Sequence, residues 1–316
     1  MSESQRTPEH LLHRLDWTVI RRLDGLLQGD YRTLFRGLGL DLADLREYQV
    51  HDDARHIDWN VTARMDTPYV REHNEDREIT AWFLLDLSPS IDFGSGDVKK
   101  RQLLIEFTTV LARILTRHGN RVGALFYGGG VDMVIPAKGG RRHVLHILNA
   151  LMKRPELTKA GPTDLSDLLR SGFNLIRQRS VVFVISDFIS TPGWEDALGL
   201  LSRRHETLAV RLFDPMEMAF PDLGLFVMQD AETGQQIFVD SQDKGFRRRF
   251  AIEAERREAD VRDAFQRAGV DALELSTSED IADSIARFAG LRKQRARLSA
   301  GGDAAVRYGS RTGTGS

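Results

Sequence analysis

Ile79-Thr80-Ala81-Trp82-Phe83-Leu84-Leu85-Asp86-Leu87-Ser88-Pro89-Ser90 runs from an apolar strand into a polar turn, and Val181-Val182-Phe183-Val184-Ile185-Ser186-Asp187 repeats that arrangement later in the chain. Val181 to Ile185 is an unbroken apolar run rich in β-branched residues, the composition of a central parallel strand covered on both faces. Ile79 to Asp86 reads as the first strand of the same sheet. Both strands deliver an aspartate to their carboxyl ends.

Outward from these strands, apolar runs of strand length alternate with longer stretches of helical periodicity. A helix is expected from about Val98 to His118, with Leu103, Leu104, Phe107, Val110, Leu111 and Ile114 on one face. Arg121 to Tyr127 and Val131 to Pro136, joined by Gly128, Gly129 and Gly130, form a hairpin that adds an edge. Helices follow at Arg141 to Lys153 and from Asp164, where Thr163 or Asp164 is placed to cap the first turn. Then come a helix near Trp194 to Arg203, a strand Glu206 to Phe213, a helix Lys244 to Ala268, a strand Asp271 to Leu275 and a helix Ser278 to Leu291. The rhythm predicts an α/β fold with a doubly wound, mainly parallel sheet.

Three regions are expected. Residues 1–78 form a smaller N-terminal region that breaks the α/β rhythm, with a helical pattern at Leu11 to Leu27. Residues 79–292 form the α/β domain, with an insertion at 214–240 whose two apolar stretches flank Glu232, Thr233 and Gly234 as a hairpin. Residues 293–316 form a Gly/Ser-rich flexible tail. Its basic opening, with Arg292, Lys293, Arg295 and Arg297, is expected to be a solvated terminus.

Composition narrows the chemistry. Of 316 residues, 41% are hydrophobic and 28% charged, the balance of a folded globular chain. With no cysteine, disulfides, thiolate metal sites and thiol nucleophiles are excluded, so a metal must be held by oxygen or imidazole. A net charge of −2 provides no large field to draw nucleic acid, which is not expected as a partner. No apolar run approaches the ~20 residues that cross a bilayer, and the N-terminus carries no apolar signal core. Membrane insertion is not expected, and the expected location is cytoplasmic.

Beyond the carboxyl ends of the strands, where open α/β sheets bind ligands, three loops gather oxygen donors. Asp86, Ser88 and Ser90 follow the first strand, Thr163 precedes a helix, and Asp187 ends the central strand. Two carboxylates and three hydroxyls form a hard-oxygen set suited to Mg²⁺ or Mn²⁺. The alternative is that these residues cap helices and satisfy loop amides.

The set resembles the metal-ion-dependent adhesion site of von Willebrand A domains, whose pattern is Asp-x-Ser-x-Ser, then a threonine, then an aspartate. The resemblance implies that Ser88, Ser90 and Thr163 contact the ion directly, while Asp86 and Asp187 act through water. A wider likeness covers nearly the whole chain. Arg46 to Tyr48, His51 to Asn60, Ala63 with Arg64, and Arg71 to Glu78 resemble the signature of the domain-of-unknown-function 58 family, with His51 where that pattern has glycine. Asp214 with Pro215 and the Glu232 to Gly234 turn extend the match. It implies a bacterial protein with a von Willebrand A or Rossmann-like fold that works beside a MoxR-type AAA+ ATPase in chaperone-like maturation.

These readings lead to a metal-dependent protein–protein interaction module with no catalytic residues. The ion keeps one position for an acidic side chain of the ATPase or of its client, and Ser90, Pro162 and Phe188 supply apolar area around it. The alternative is a metal-assisted hydrolase of phosphoryl or acyl groups, with Asp52, Asp53 or His56 as base. The segment containing Asp52, Asp53, Arg55, His56, Asp58, Trp59 and Arg64 is expected to be a lattice of ion pairs and aromatic packing.

Overall fold

In the computed structural model, which describes residues 7–26, 45–48, 57, 62, 67–71, 79–157, 161–221, 224–229, 236–292 and 294, the apolar runs form one central sheet. Two short strands, β1 (Leu45–Glu47) and β2 (Tyr69–Arg71), pair antiparallel outside it. The central strands are β3 (Thr80–Asp86), β4 (Arg121–Tyr127), β5 (Val131–Lys138), β6 (Val181–Ser186) and β7 (Glu206–Phe213). After the antiparallel ribbon β8 (Leu225–Gln229) and β9 (Gln236–Asp240), β10 (Asp271–Ser276) completes the sheet. Its order is β10-β7-β6-β3-β4-β5. Every neighbouring pair is parallel except the β4–β5 hairpin at one edge.

Alternation along the strands decides which helices cover each face. Phe83 and Leu85 of β3 enter one core, together with Leu12, Leu15, Val19, Ile20 and Leu23 from the N-terminal helical segment. That segment comprises α1 (Pro8–Leu15), a π-helical turn Asp16–Ile20 and α2 (Arg21–Leu26). The same face holds α3 (Lys100–Arg117), α4 (Arg141–Lys153) and α8, residues 281–292. Leu84 of β3 enters the opposite core with α5 (Leu165–Leu175), α6 (Trp194–Arg204) and α7 (Lys244–Ala268). The sheet is therefore doubly wound, and the N-terminal helices share a core with it.

Two features differ from the sequence reading. The last helix begins later than Ser278, because Asp280 caps it: its Oδ1 accepts from Ala282 N at 2.8 Å and Asp283 N at 3.2 Å. The start of the insertion contains a 3₁₀ turn, Pro215–Glu217, closed by a capping box between Asp214 and Glu217. The β8–β9 pairing agrees with a hairpin, while its turn, Glu232 to Gly234, lies outside the described residues.

From β3 the chain passes to β4 and β5 on one side, then crosses back to lay β6 on the other side of β3 and builds outward through β7 to β10. Strand order thus reverses between β3 and β6. The crevice at their carboxyl ends is the position where such sheets bind ligands.

Candidate metal centre at the switch point

Register brings the two aspartates together. Leu85 of β3 pairs with Ile185 of β6, so Asp86 lies beside Ser186 and its Oδ2 accepts from Ser186 Oγ at 2.7 Å. The main chain then turns sharply after each strand. Asp86 Oδ1 accepts from Ser88 N at 3.0 Å, and Asp187 Oδ1 accepts from Ile189 N at 3.0 Å. Both carboxylates are fixed by their own loops. Pro89 opens a 3₁₀ turn over Pro89–Asp92, which folds Ser90 back so that its Oγ lies 3.2 Å from Ser88 Oγ.

Thr163 arrives on a third loop. Ser190 Oγ donates to Thr163 O at 3.0 Å and accepts from Leu165 N at 2.9 Å, while Thr191 N donates to Thr163 O at 2.9 Å. These bonds fasten the Thr163 loop to the loop that follows Asp187. The cap of α5 falls to Asp164, whose Oδ1 accepts from Ser166 N at 2.9 Å. Thr163 is therefore not the capping residue; it is buried on the loop that Ser190 fastens to the one after Asp187.

Burial sets the electrostatics. Removal from water raises the Asp86 carboxyl to about 6, and the like charge of Asp187 adds to the rise despite hydrogen bonds from Ser186 and Ser88. A neighbouring cation would relieve that repulsion. One is already present: Lys100, 0% exposed, places Nζ 2.7 Å from Asp187 Oδ2 and 2.7 Å from Glu217 Oε1. Burial alone would lower its pKa, but the two carboxylates outweigh that and hold it above the ordinary lysine value. Gly94 lets the connecting loop reach the start of α3, since a Cβ there would lie 2.6 Å from Lys99 Cα.

Sequence reasoning missed Lys100 and Glu217. The available signal was a lysine on the apolar side of a helix start together with the Asp214-Pro215 pair, but only tertiary structure places them in one cluster. The cluster continues outward. Glu217 Oε2 accepts from Asp214 N at 2.9 Å, and Asp214 accepts from Ser95 Oγ and from Thr277 Oγ1, both at 2.6 Å. Burial pushes the Asp214 carboxyl up, yet those donors and Met216 N win and keep it below its ordinary value.

The donors fit a small hard cation. Mg²⁺ binds oxygen at about 2.0–2.1 Å in an octahedron, which puts adjacent ligands roughly 3 Å apart, the spacing found between the Ser88 and Ser90 hydroxyls. Among the described residues no three His, Cys, Asp or Glu side chains assemble into a metal cage. The candidate consists instead of two carboxylates and three hydroxyls, which suits an ion that retains water.

Two of the expected contacts are corrected. Phe188 does not offer apolar area to a partner: it is 3% exposed, with its ring 5.2 Å from Trp194 and 4.8 Å from Phe265. Its φ of +58° turns the side chain inward, into the α6–α7 side of the core. Ser90 is likewise buried, at 8% exposure, while Pro162 lies at the surface, as does Phe93, 41% exposed, whose N–H donates to Ser90 O at 3.3 Å. Asp52, Asp53, Arg55, His56, Asp58, Trp59 and Arg64 lie outside the described residues, as does most of 293–316.

The family described as "Protein of unknown function DUF58" matches residues 44–260. The chain belongs to the DUF58 family. Family resemblance extends to uncharacterized proteins of Mycobacterium tuberculosis and Mycobacterium bovis, each 35% identical over 285 residues that cover 90% of either chain. An uncharacterized Mycobacterium avium protein is 32% identical over 164 residues, 51% of this chain and 95% of its own.

Two solved structures are similar in part. An aerotolerance-related membrane protein from Bacteroides fragilis gives a TM-score of 0.46 at 13% identity, covering 69% of this chain and 99% of its own. The conserved hypothetical protein BatB from Bacteroides thetaiotaomicron gives 0.43 at 13%, covering 68% and 99%. The expected cytoplasmic location does not stand: the Bacteroides fragilis structure is described as that of a membrane protein, which is said of that protein alone, and no compartment is assigned to this chain. Among the described residues no helix is long and apolar enough to cross a membrane. That observation does not assign a compartment, since the composition of a domain's core does not determine where the domain is held.

Proposed function

We propose that this DUF58 protein is a metal-dependent protein–protein interaction module, an adaptor or co-chaperone for a MoxR-type AAA+ ATPase. The observation that carries this reading is the pair of hydroxyls, Ser88 and Ser90, 3.2 Å apart beside two buried carboxylates at the sheet's switch point. Ser88, Ser90 and Thr163 would hold Mg²⁺ or Mn²⁺, with Asp86 and Asp187 orienting its water. Bound there, the ion supplies a Lewis-acidic position that an acidic side chain of the partner can occupy.

The chain's own residues do the rest. Main-chain donors at Ser88 and Ile189 fix the two carboxylates, so little ordering remains to be done when a partner arrives. Pro162 and Phe93 offer apolar area around the polar centre, and exclusion of water there strengthens a charged contact. The class of partner comes from the family resemblance, and the mode of contact comes from the centre.

The test is the affinity of the purified chain for its cognate MoxR-type ATPase in Mg²⁺ and in EDTA, with Ser88→Ala alongside. Chelation and the substitution should each weaken binding by about tenfold or more, the scale of losing one charge-assisted contact, with the circular dichroism unchanged. Equal affinity in all three conditions removes the ion from the interface.

A further inference from the structure

Lys100 sits where its charge bears directly on the centre. It begins α3, its ammonium is fully buried, and it draws on Asp187 and Glu217 at equal distances of 2.7 Å. Burying an ammonium between two carboxylates is costly, and an apolar group of similar size commonly serves stability as well. Lys99, next in sequence, is exposed and pairs with Glu156 at 3.4 Å. Arg211 lines the same small cavity as Asp187 and Glu217, but it is committed to Glu258. Lys100 is thus the cation that bridges Asp187 to the Pro215–Glu217 turn.

We propose that Lys100 is a tethered counter-cation that sets how tightly the centre holds a divalent ion, with Glu217 tuning it by sharing the lysine's charge. This rests on the metal reading above. An ammonium and a divalent ion that both draw on Asp187 weaken each other's hold, because like charges a few ångströms apart repel. Glu217 moderates that repulsion by drawing part of the ammonium's field away from the centre. Removing either side chain's charge should therefore shift affinity in opposite directions. A purely structural bridge predicts no such pairing.

The experiment is calorimetric titration of the full chain with MgCl₂ at about pH 8, where free carboxylates are ionised. Lys100→Met should bind Mg²⁺ more tightly by about tenfold or more, and Glu217→Gln more weakly by several-fold. Lys100→Arg, which keeps the charge, should stay within a few-fold of wild type. An isotherm that emerges only in Lys100→Met also supports the proposal, since the lysine then excludes the ion outright.

If Lys100→Met is unfolded without ions, its melting temperature in Mg²⁺ should rise more than that of wild type, because the ion replaces the lost charge. If it stays unfolded in Mg²⁺, Glu217→Gln decides: weaker binding supports the proposal, and unchanged or tighter binding overturns it. Wild-type affinity in folded Lys100→Met and Glu217→Gln overturns the role of Lys100 while leaving the metal reading intact. Absence of binding in wild type and both variants overturns the metal reading itself.

Discussion

Asp86 is a carboxyl that burial and the neighbouring charge of Asp187 push upward. Its folded pKa of about 6 lies above the ordinary 3.8, so its contribution to stability is complete below the ordinary value and is lost as pH rises through about 6. Ion binding has the opposite preference, since a metal competes with the proton for the same carboxylate. Mg²⁺ affinity should therefore fall by up to about tenfold for each pH unit below 6, and Asp86→Asn should flatten that slope. Titrations at several pH values check both. Phe188, a bulky residue at positive φ, carries a backbone cost of roughly 1–2 kcal/mol. Its contacts with Trp194 and Phe265 hold it there. Phe188→Ala keeps the backbone cost and loses the ring, a destabilisation of about 3–5 kcal/mol. Phe188→Gly loses the ring but relieves the backbone, and should be about 1 kcal/mol less damaging in urea unfolding.

Among the elements, α5 is held unusually close to the sheet. Gly172 faces β3, and a Cβ there would lie 2.6 Å from Leu84 Cδ2 in a fully buried part of the core. Gly172→Ala gains helix propensity of about 1 kcal/mol but overpacks the interface. A net loss of about 1–2 kcal/mol is expected by denaturant unfolding, and a gain would show that α5 can retreat. The position matters beyond stability because Asp164, which caps α5, directly follows Thr163. Displacing the helix should therefore also weaken Mg²⁺ binding in the same variant. Element boundaries were largely legible. The strand Glu206–Phe213 and the helices Arg141–Lys153 and Lys244–Ala268 fall where periodicity placed them. The Pro215–Glu217 turn did not, because a three-residue turn leaves no periodicity to read; its signal was the local Asp214-Pro215-x-Glu217 capping box.

The whole molecule joins its N-terminal helices to the sheet through Leu12, Leu15, Val19, Ile20 and Leu23, all buried in one core with α3 and α4. Deleting residues 1–26 should expose the matching surface of α3 and α4 and cost about 3 kcal/mol or more, with increased binding of an apolar dye. Unchanged melting would show that these helices are dispensable to the domain. A chain of polar contacts also runs along the carboxyl ends of β6, β7 and β10, from Asp187 through Lys100 and Glu217 to Asp214, and on to Ser95 and Thr277. Strand runs, helix faces and the order of the Asp86, Ser88, Ser90, Thr163 and Asp187 segments were legible in the sequence, since side-chain period and turn chemistry are local properties. Only the tertiary structure decided that Lys100 enters the centre, that Phe188 turns inward, and that Asp164 rather than Thr163 caps its helix. Lys100 meets Asp187 and Glu217 out of water, where an unpaired charge is costly enough to dictate its partner; Phe188 packs on Phe265 from a distant helix; and Thr163 is tied by its carbonyl to Ser190 and Thr191 while Asp164 caps the helix locally.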